Sequence, residues 1–510
     1  MKLLAALVLF LVFASPAAGT APRRILSVDN GATPFAGDTP ILTTVSPNGD
    51  GFRDVARLHY ETHAPGVARV EVDRADGKGI EALEPDVVVS RGATDLSWAP
   101  PAGTAPGTYV VTVTSAVGPT AHAVVRVQGV DVAAGRAGYA PGDLVHLAVA
   151  TDARELRLDV LHIDTSSIRD HSNGSVTGAV VGRAQEIAWR GHADHPGEIT
   201  FRVGDWPSGV YFARLVADDG RTGYAPIVVR PRRLGTHRIA VVMPTYTWQA
   251  YNFYDRDGDG HGDTWYAGWR TFETRLGRPY LNDGVPPHFV RYDLPFLVWA
   301  ARRHVQADYL TDADLESVHS GRDLAERYDF IVFPGHHEYV QEHEYDVVRG
   351  FRDAGGNLAW LSANNFFWKV VRRGPVLERV AQWRTLGTPE AGLIGTQYRA
   401  NDEGTSRGPL VPRPAAAPWL FAGTPLADGT PWGSFGIEID HTAPSSPPGT
   451  RVLAQVPNLY GPGLTAQMTY YETPAGAKVF AAGAFSLGMT ATTWVGTTLL
   501  DNLFAHLEQP

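Results

Sequence analysis

Short alternations of apolar and polar residues fill the first half of the chain, and longer unbroken apolar runs appear in the second. From residue 21 to 131, alternating stretches such as 66–72 and 108–113 are separated by Gly, Pro and Asn turns, a pattern that predicts an antiparallel β-sandwich. Residues 132–232 repeat it, opening at Tyr139-Ala140-Pro141-Gly142-Asp143 and nearing their end at Gly209-Val210-Tyr211. The basic turn Arg230-Pro231-Arg232-Arg233 then reads as a solvated linker into a last domain, 233–510.

In that last domain strands alternate with helical segments. The apolar run at 239–243 predicts a strand, 294–303 has helical spacing, and Thr311 or Asp312 is placed to cap the helix after a short strand at 307–310. The segment 330–333 predicts a buried strand that ends in Pro334-Gly335 and delivers His336, His337 and Glu338. A helix at about 342–353, closed by Gly355-Gly356, leads to a second strand at 358–361 ending in Ser362, Asn364 and Asn365. Strand, helix, strand in this order predicts a doubly wound parallel sheet, with both strand ends feeding one crevice. Proline-rich stretches at 409–425 and 442–450 are expected to be loops covering that crevice, followed by strands at 468–472 and 477–482 and a closing helix at 492–508.

Composition narrows the classes. The 510 residues suffice for about three domains. A formal charge of −10 offers no electrostatic footprint for nucleic acid. Lys2, an apolar run at 3–14 and small residues at 15–19 have the layout of a secretory signal peptide over 1–20, so the mature protein is expected to be exported. After cleavage no stretch approaches the roughly 18 apolar residues of a transmembrane helix. With no cysteine, thiol nucleophiles, Cys-ligated zinc and disulfides are excluded. The sequence leaves a homo-oligomer open.

Several clusters offer chemistry. Asn48, Asp50 and Asp54 present hard oxygens suited to calcium, although Asn-Gly and Asp-Gly are equally ordinary hairpin residues. Asp255, Asp257, Asp259 and Asp263 match the start of a calcium loop, but Tyr266 stands where the full pattern needs a bidentate Glu. His336, His337 and Glu338 lack the helical spacing of a zincin, and no G-x-S-x-G elbow follows a strand. The segment Pro244 to Asn252 crowds tyrosine and tryptophan at a strand end, which suits either a ligand cleft, for carbohydrate among others, or a tyrosine-ligated metal.

Two resemblances sharpen these readings. Ser46-Pro47-Asn48-Gly49-Asp50-Gly51-Phe52-Arg53-Asp54, with Trp98 and Gly107-Thr108-Tyr109, resembles the immunoglobulin-like domain of flagellar hook-capping proteins. Pro244 to Asn252, Trp265-Tyr266, Val285-Pro286-Pro287, Tyr292-Asp293-Leu294-Pro295, 333–339 and 355–368 resemble the C-terminal domain of the N,N-dimethylformamidase large subunit. That resemblance implies an α/β domain similar to a class I glutamine amidotransferase, without the amidotransferase cysteine. It further implies a mononuclear Fe(III) held by two tyrosinates and one glutamate, acting on the C–N bond of a small amide. Carried over by motif, Glu338 supplies the carboxylate and Tyr266 and Tyr251 the phenolates, with Tyr246 as a substitute. His336 and Asn364 fall at positions that orient water or the substrate carbonyl. The family's small partner subunit has no counterpart in this sequence. A catalytically silent, exported binding protein using the same aromatic cleft is the alternative.

Overall fold

The computed structural model describes residues 26–77, 80–167, 175–268, 271–402 and 405–509. The expected leader at 1–20 lies outside them.

The chain is β-rich and divides into successive sheet systems. Strands between Leu26 and Val127 build two facing sheets, one of three strands and one of five. Alternate residues of each strand, among them Leu58, Tyr60, Val70, Val72, Val111 and Val125, meet around Trp98 and Tyr109. Strands between Asp131 and Val229 build a second pair of sheets around Tyr139, Trp189 and Tyr211. The two Gly-x-Tyr segments play the same part in both. Tyr109 Oη donates to Ala105 O at 2.8 Å, and Tyr211 Oη to Pro207 O at 2.7 Å, so each phenol ties its own strand to the preceding corner.

The second sandwich is not a free-standing spacer. Leu161, Val210, Phe212, Tyr224 and Val228 point away from its own core and join Met243, Trp248, Val285 and Phe289 in one continuous apolar cluster. Phe212 and Phe289 lie edge to face with centroids 5.1 Å apart.

In the last domain Ala307–Thr311, Ile239–Met243, Phe330–Phe333, Asn357–Trp360 and Lys478–Ala481 pair in parallel, in that spatial order. Both faces are covered, which explains the unbroken apolar runs. Ile239, Val241 and Met243 face the helices Leu294–Arg302 and Trp494–Leu507, whereas Ala240 and Val242 face Glu342–Asp353. The parallel arrangement ends there. The sheet continues through Ala466–Glu472, Arg451–Val456, Arg407–Pro412, Trp432–His441 and Gln397–Asn401, all antiparallel. The expected purely parallel sheet is therefore half of a mixed one.

The stretch expected as a covering loop at 409–425 is instead largely structured. It contributes Arg407–Pro412 to the sheet and a short helix, Pro418–Phe421, whose Leu420 and Phe421 are apolar enough to be drawn into the core beside Leu499 and Leu503. Among the described residues no helix is long and apolar enough to cross a membrane.

Candidate metal centre

Numbering the five parallel strands by chain position gives the order 2-1-3-4-5, in which the direction of winding reverses between Ile239–Met243 and Phe330–Phe333. Open α/β sheets bind ligands in the crevice beyond the C-terminal ends of such a pair. Here Ile239–Met243 runs directly into the helix Thr245–Ala250, which carries Tyr251 at its end, and Phe330–Phe333 runs into His336, His337 and Glu338. Thr247 joins the two strand ends, its hydroxyl accepting the backbone N–H of Glu338 at 3.0 Å.

Three of the expected oxygens meet. Tyr251 Oη donates to Glu338 Oε2 at 2.7 Å and Tyr266 Oη lies 3.3 Å from the same oxygen. The two phenol rings stack with centroids 4.5 Å apart. Tyr266 also hydrogen-bonds Tyr339 Oη, which in turn accepts Trp265 Nε1 at 3.2 Å. The hydroxyl of Tyr246, the substitute ligand, instead accepts from Gln341 Nε2 at 3.1 Å.

Tyr266 arrives on the aspartate-rich loop. Gly258 and Gly260 sit there at φ +73 and +86, and a Cβ on either would come within 2.3 Å of Leu42 and 2.8 Å of Val110. The loop is thus pressed onto the first sandwich, where Arg126 Nη2 donates to Arg256 O at 3.2 Å, and it touches the start of the second, where Tyr254 Oη donates to Asp131 Oδ2 at 3.3 Å. Asp255, Asp257 and Asp263 gather with ligand oxygens within 4.8 Å of one another. Asp255 already accepts Gly258 N and Gly260 N, and Asp263 accepts Arg256 N. Asp259 stands apart and accepts His261 N. In the first sandwich Asn48, Asp50 and Asp54 accept the backbone N–H groups of Asp50, Phe52, Gly49 and Gly51, which is the hairpin role of these residue types.

The remaining expected residues surround Glu338. His336 Nε2 lies 3.4 Å from Glu338 Oε2 and 3.2 Å from Glu438 Oε2. The Asn364 side chain hydrogen-bonds both carboxyl groups. Its backbone N–H is held by Asp440 Oδ1 at 2.8 Å, with Asn364 itself at φ 53, a left-handed conformation that Asn tolerates.

Glu438 was not anticipated from the sequence. It sits in Trp432–His441, where pairing with Ala484–Phe485 slips between Gly436 and Ile439, and its neighbour Ile437 takes φ 69. A β-branched residue rarely adopts that conformation, and bulges of this kind re-aim side chains at functional sites. The signal in the sequence was Glu438 and Asp440 alternating with Ile437 and Ile439: two acids at inward positions of an otherwise buried strand.

The electrostatics of this cluster are severe. Burial raises the Glu338 carboxyl to about 7 and that of Glu438 to about 8, and lowers His336 to about 4. Burial likewise pushes both Tyr251 and Tyr266 well above the ordinary phenol value, with the Glu338 charge adding to it. Left to themselves the carboxyl and phenol groups hold their protons; a cation placed among them reverses that preference. The donor set fits a hard trivalent ion. Three hard oxygens converge, and His336 Nε2, Asn364 Oδ1 and Glu438 Oε2 are buried beside them without a hydrogen-bond partner. A cavity of about 10 Å³, the room of about one water, touches Tyr251, His288, Tyr292 and His336. Larger cavities of about 430 and 670 Å³ lie away from this chemistry, against the second sandwich.

A family model described as N,N-dimethylformamidase beta subunit-like, C-terminal, matches residues 192–492, more than half of the chain. The chain belongs to that family. The dimethylformamidase-like span begins inside the second sandwich, in keeping with the core the two share. No curated protein matches the sequence. Among solved structures, the dimethylformamidase-like chain is similar to Escherichia coli alpha-2-macroglobulin activated by porcine elastase, at 12% identity over 40% of this chain and 20% of that one, with a TM-score of 0.18. It is also similar to SGBP-B of the Bacteroides ovatus mixed-linkage glucan utilization locus, at 15% identity over 40% and 46%, with a TM-score of 0.17. This chain spans a fifth and just under a half of those two, and likenesses this slight carry no argument about function.

Proposed function

We propose that the chain is a metal-dependent hydrolase of small amides, with Fe(III) held by Tyr251, Tyr266 and Glu338 in an α/β domain akin to that of class I glutamine amidotransferases. The observation that carries this reading is the meeting of both phenol hydroxyls on one oxygen, Glu338 Oε2, at the switch point of the sheet. Two phenolates and a carboxylate would match the triple charge of a ferric ion. When bound, such an ion supplies a hard Lewis acid that polarises an amide carbonyl.

The protein's own groups account for the rest. His336, neutral above about pH 4, can take a proton at Nε2 from an attacking water. Glu438 Oε2, 3.2 Å away, faces the ring as it becomes charged, and transfer of the proton from His336 Nε2 to the amine nitrogen completes cleavage of the C–N bond. Water thereby adds its hydroxyl to the carbonyl carbon and its hydrogen to the departing amine. Asn364 fixes the two carboxyls relative to each other. The apparent leader at 1–20 supports export.

Amine release from a panel of formamides and acetamides, followed for the wild type and Glu338→Gln, tests the proposal. Loss of iron and turnover together in the variant is expected. A wild type that contains iron and cleaves no small amide would overturn it.

A further inference from the structure

His337, the neighbour of the candidate ligand Glu338, takes no part in that site. Its ring turns to the opposite side of the strand end, against Phe333 and Phe366 with centroids 4.9 and 5.7 Å away. There its Nε2 lies 2.8 Å from Asp312 Oδ1 and 3.4 Å from Glu344 Oε1. All three residues are 0% exposed.

Two carboxylates and an imidazole removed from water would normally be saturated with hydrogen bonds, because a buried polar atom without a partner has given up its hydration for nothing. These are not. His337 Nε2, Asp312 Oδ1 and both carboxyl oxygens of Glu344 make no well-formed hydrogen bond, and what holds them is the approach of the imidazole to the two carboxyl groups at 2.8 and 3.4 Å. The other oxygen of Asp312 is fully used, accepting the Thr245 hydroxyl and Tyr246 N, so Oδ1 is left aimed at the cluster.

We propose that Asp312, His337 and Glu344 form a second, structural metal site for one divalent ion of the zinc or manganese type. The ligand atoms lie within 4.8 Å of one another. Donors at about 2.0–2.2 Å around a tetrahedral zinc stand roughly 3.4 Å apart, which the present separations approach. The charges also close: two carboxylates with a neutral imidazole cancel a divalent ion in a place that no solvent reaches. Imidazole with carboxylates suits zinc or manganese better than calcium, which takes more oxygens.

The position gives such an ion a purpose. Asp312 follows Ala307–Thr311, His337 follows Phe330–Phe333, and Glu344 lies in the first turn of Glu342–Asp353. One ion would staple three segments at the same edge of the sheet. It would fix the backbone that presents His336 and Glu338 to the opposite side.

Elemental analysis of the full chain from zinc- and from manganese-supplemented expression tests this, with wild type, Tyr266→Phe, Glu344→Gln and Asp312→Asn compared. About one divalent ion per chain is expected in the wild type and in Tyr266→Phe, which removes a ligand of the first site only. It should be lost from Glu344→Gln and Asp312→Asn, with a lowered melting temperature. Anomalous diffraction at the zinc edge locates the ion without any substitution, should those variants fail to fold. No divalent ion above background in folded wild type from either medium, or an anomalous peak away from His337 Nε2, would overturn the proposal. Because the readout is metal content at the second site, absence of iron from the first leaves it standing.

Discussion

Asp293 is the acid whose burial makes the sharpest prediction. Its side chain is 2% exposed, one oxygen accepts Trp248 Nε1 at 3.2 Å, and the other has no partner. Desolvation therefore raises the carboxyl to about 7, against about 3.9 in an unfolded chain. A folded pKa raised this way gives stability that is complete below about pH 4 and lost as pH climbs to about 7. At about 1.36 kcal/mol per unit, three units correspond to ~4 kcal/mol in all, of which roughly 2.5 kcal/mol disappears between pH 5 and 8. Asp293→Asn keeps an acceptor for Trp248 and cannot ionise. Urea unfolding of both proteins at pH 5, 6, 7 and 8, followed by tryptophan fluorescence, should show the variant's advantage growing by about 2.5 kcal/mol and levelling above pH 7. A difference that is flat with pH, or that shrinks as pH rises, would mean that Asp293 is not held protonated by burial.

Two further substitutions probe the scaffold. A Cβ at Gly335 would lie 2.0 Å from Asp293 Oδ1, so Gly335→Ala should destabilise by about 1–3 kcal/mol in thermal melts and displace the His336–Glu338 turn, lowering metal content. Asp308 accepts the backbone N–H groups of Gly235, Thr236 and His237 together with the Tyr328 hydroxyl, joining the linker to the sheet. Asp308→Ala takes the shared acceptor from those partly buried donors and from the buried Tyr328 hydroxyl, and should cost about 1–3 kcal/mol by urea denaturation.

The sequence exposed what depends on local pattern. The strand at 330–333 is apolar on both faces and stops at Pro334-Gly335, so the place of His336 and Glu338 at a strand end was readable. The side of the strand end that each takes was not. His337 and Glu338 are adjacent, yet one meets Asp312 and Glu344 while the other meets two tyrosines, and only the course of the turn decides that.

Glu438 escaped notice because it is delivered by a bulge in an antiparallel extension of the sheet, and a register slip leaves little mark on residue types. Asp312 fits the pattern of a helix start, which conceals a second use for its other oxygen. The pairing of Tyr251 with Tyr266 depends on the aspartate-rich loop being held against the two sandwiches, by contacts made across more than a hundred residues. The second sandwich read as an independent module because its alternation is regular; the outward Phe212 and Tyr224 that bind it to the last domain fit the same pattern as any surface aromatic.

Everything proposed for the first site depends on Tyr251, Tyr266 and Glu338 holding a ferric ion. Iron content with the visible absorption spectrum of the purified protein tests it most directly. About one iron per chain is predicted, with a broad phenolate-to-iron charge-transfer band that weakens in Tyr266→Phe and vanishes with the iron in Glu338→Gln. A colourless protein that stays free of iron after ferric loading would contradict it.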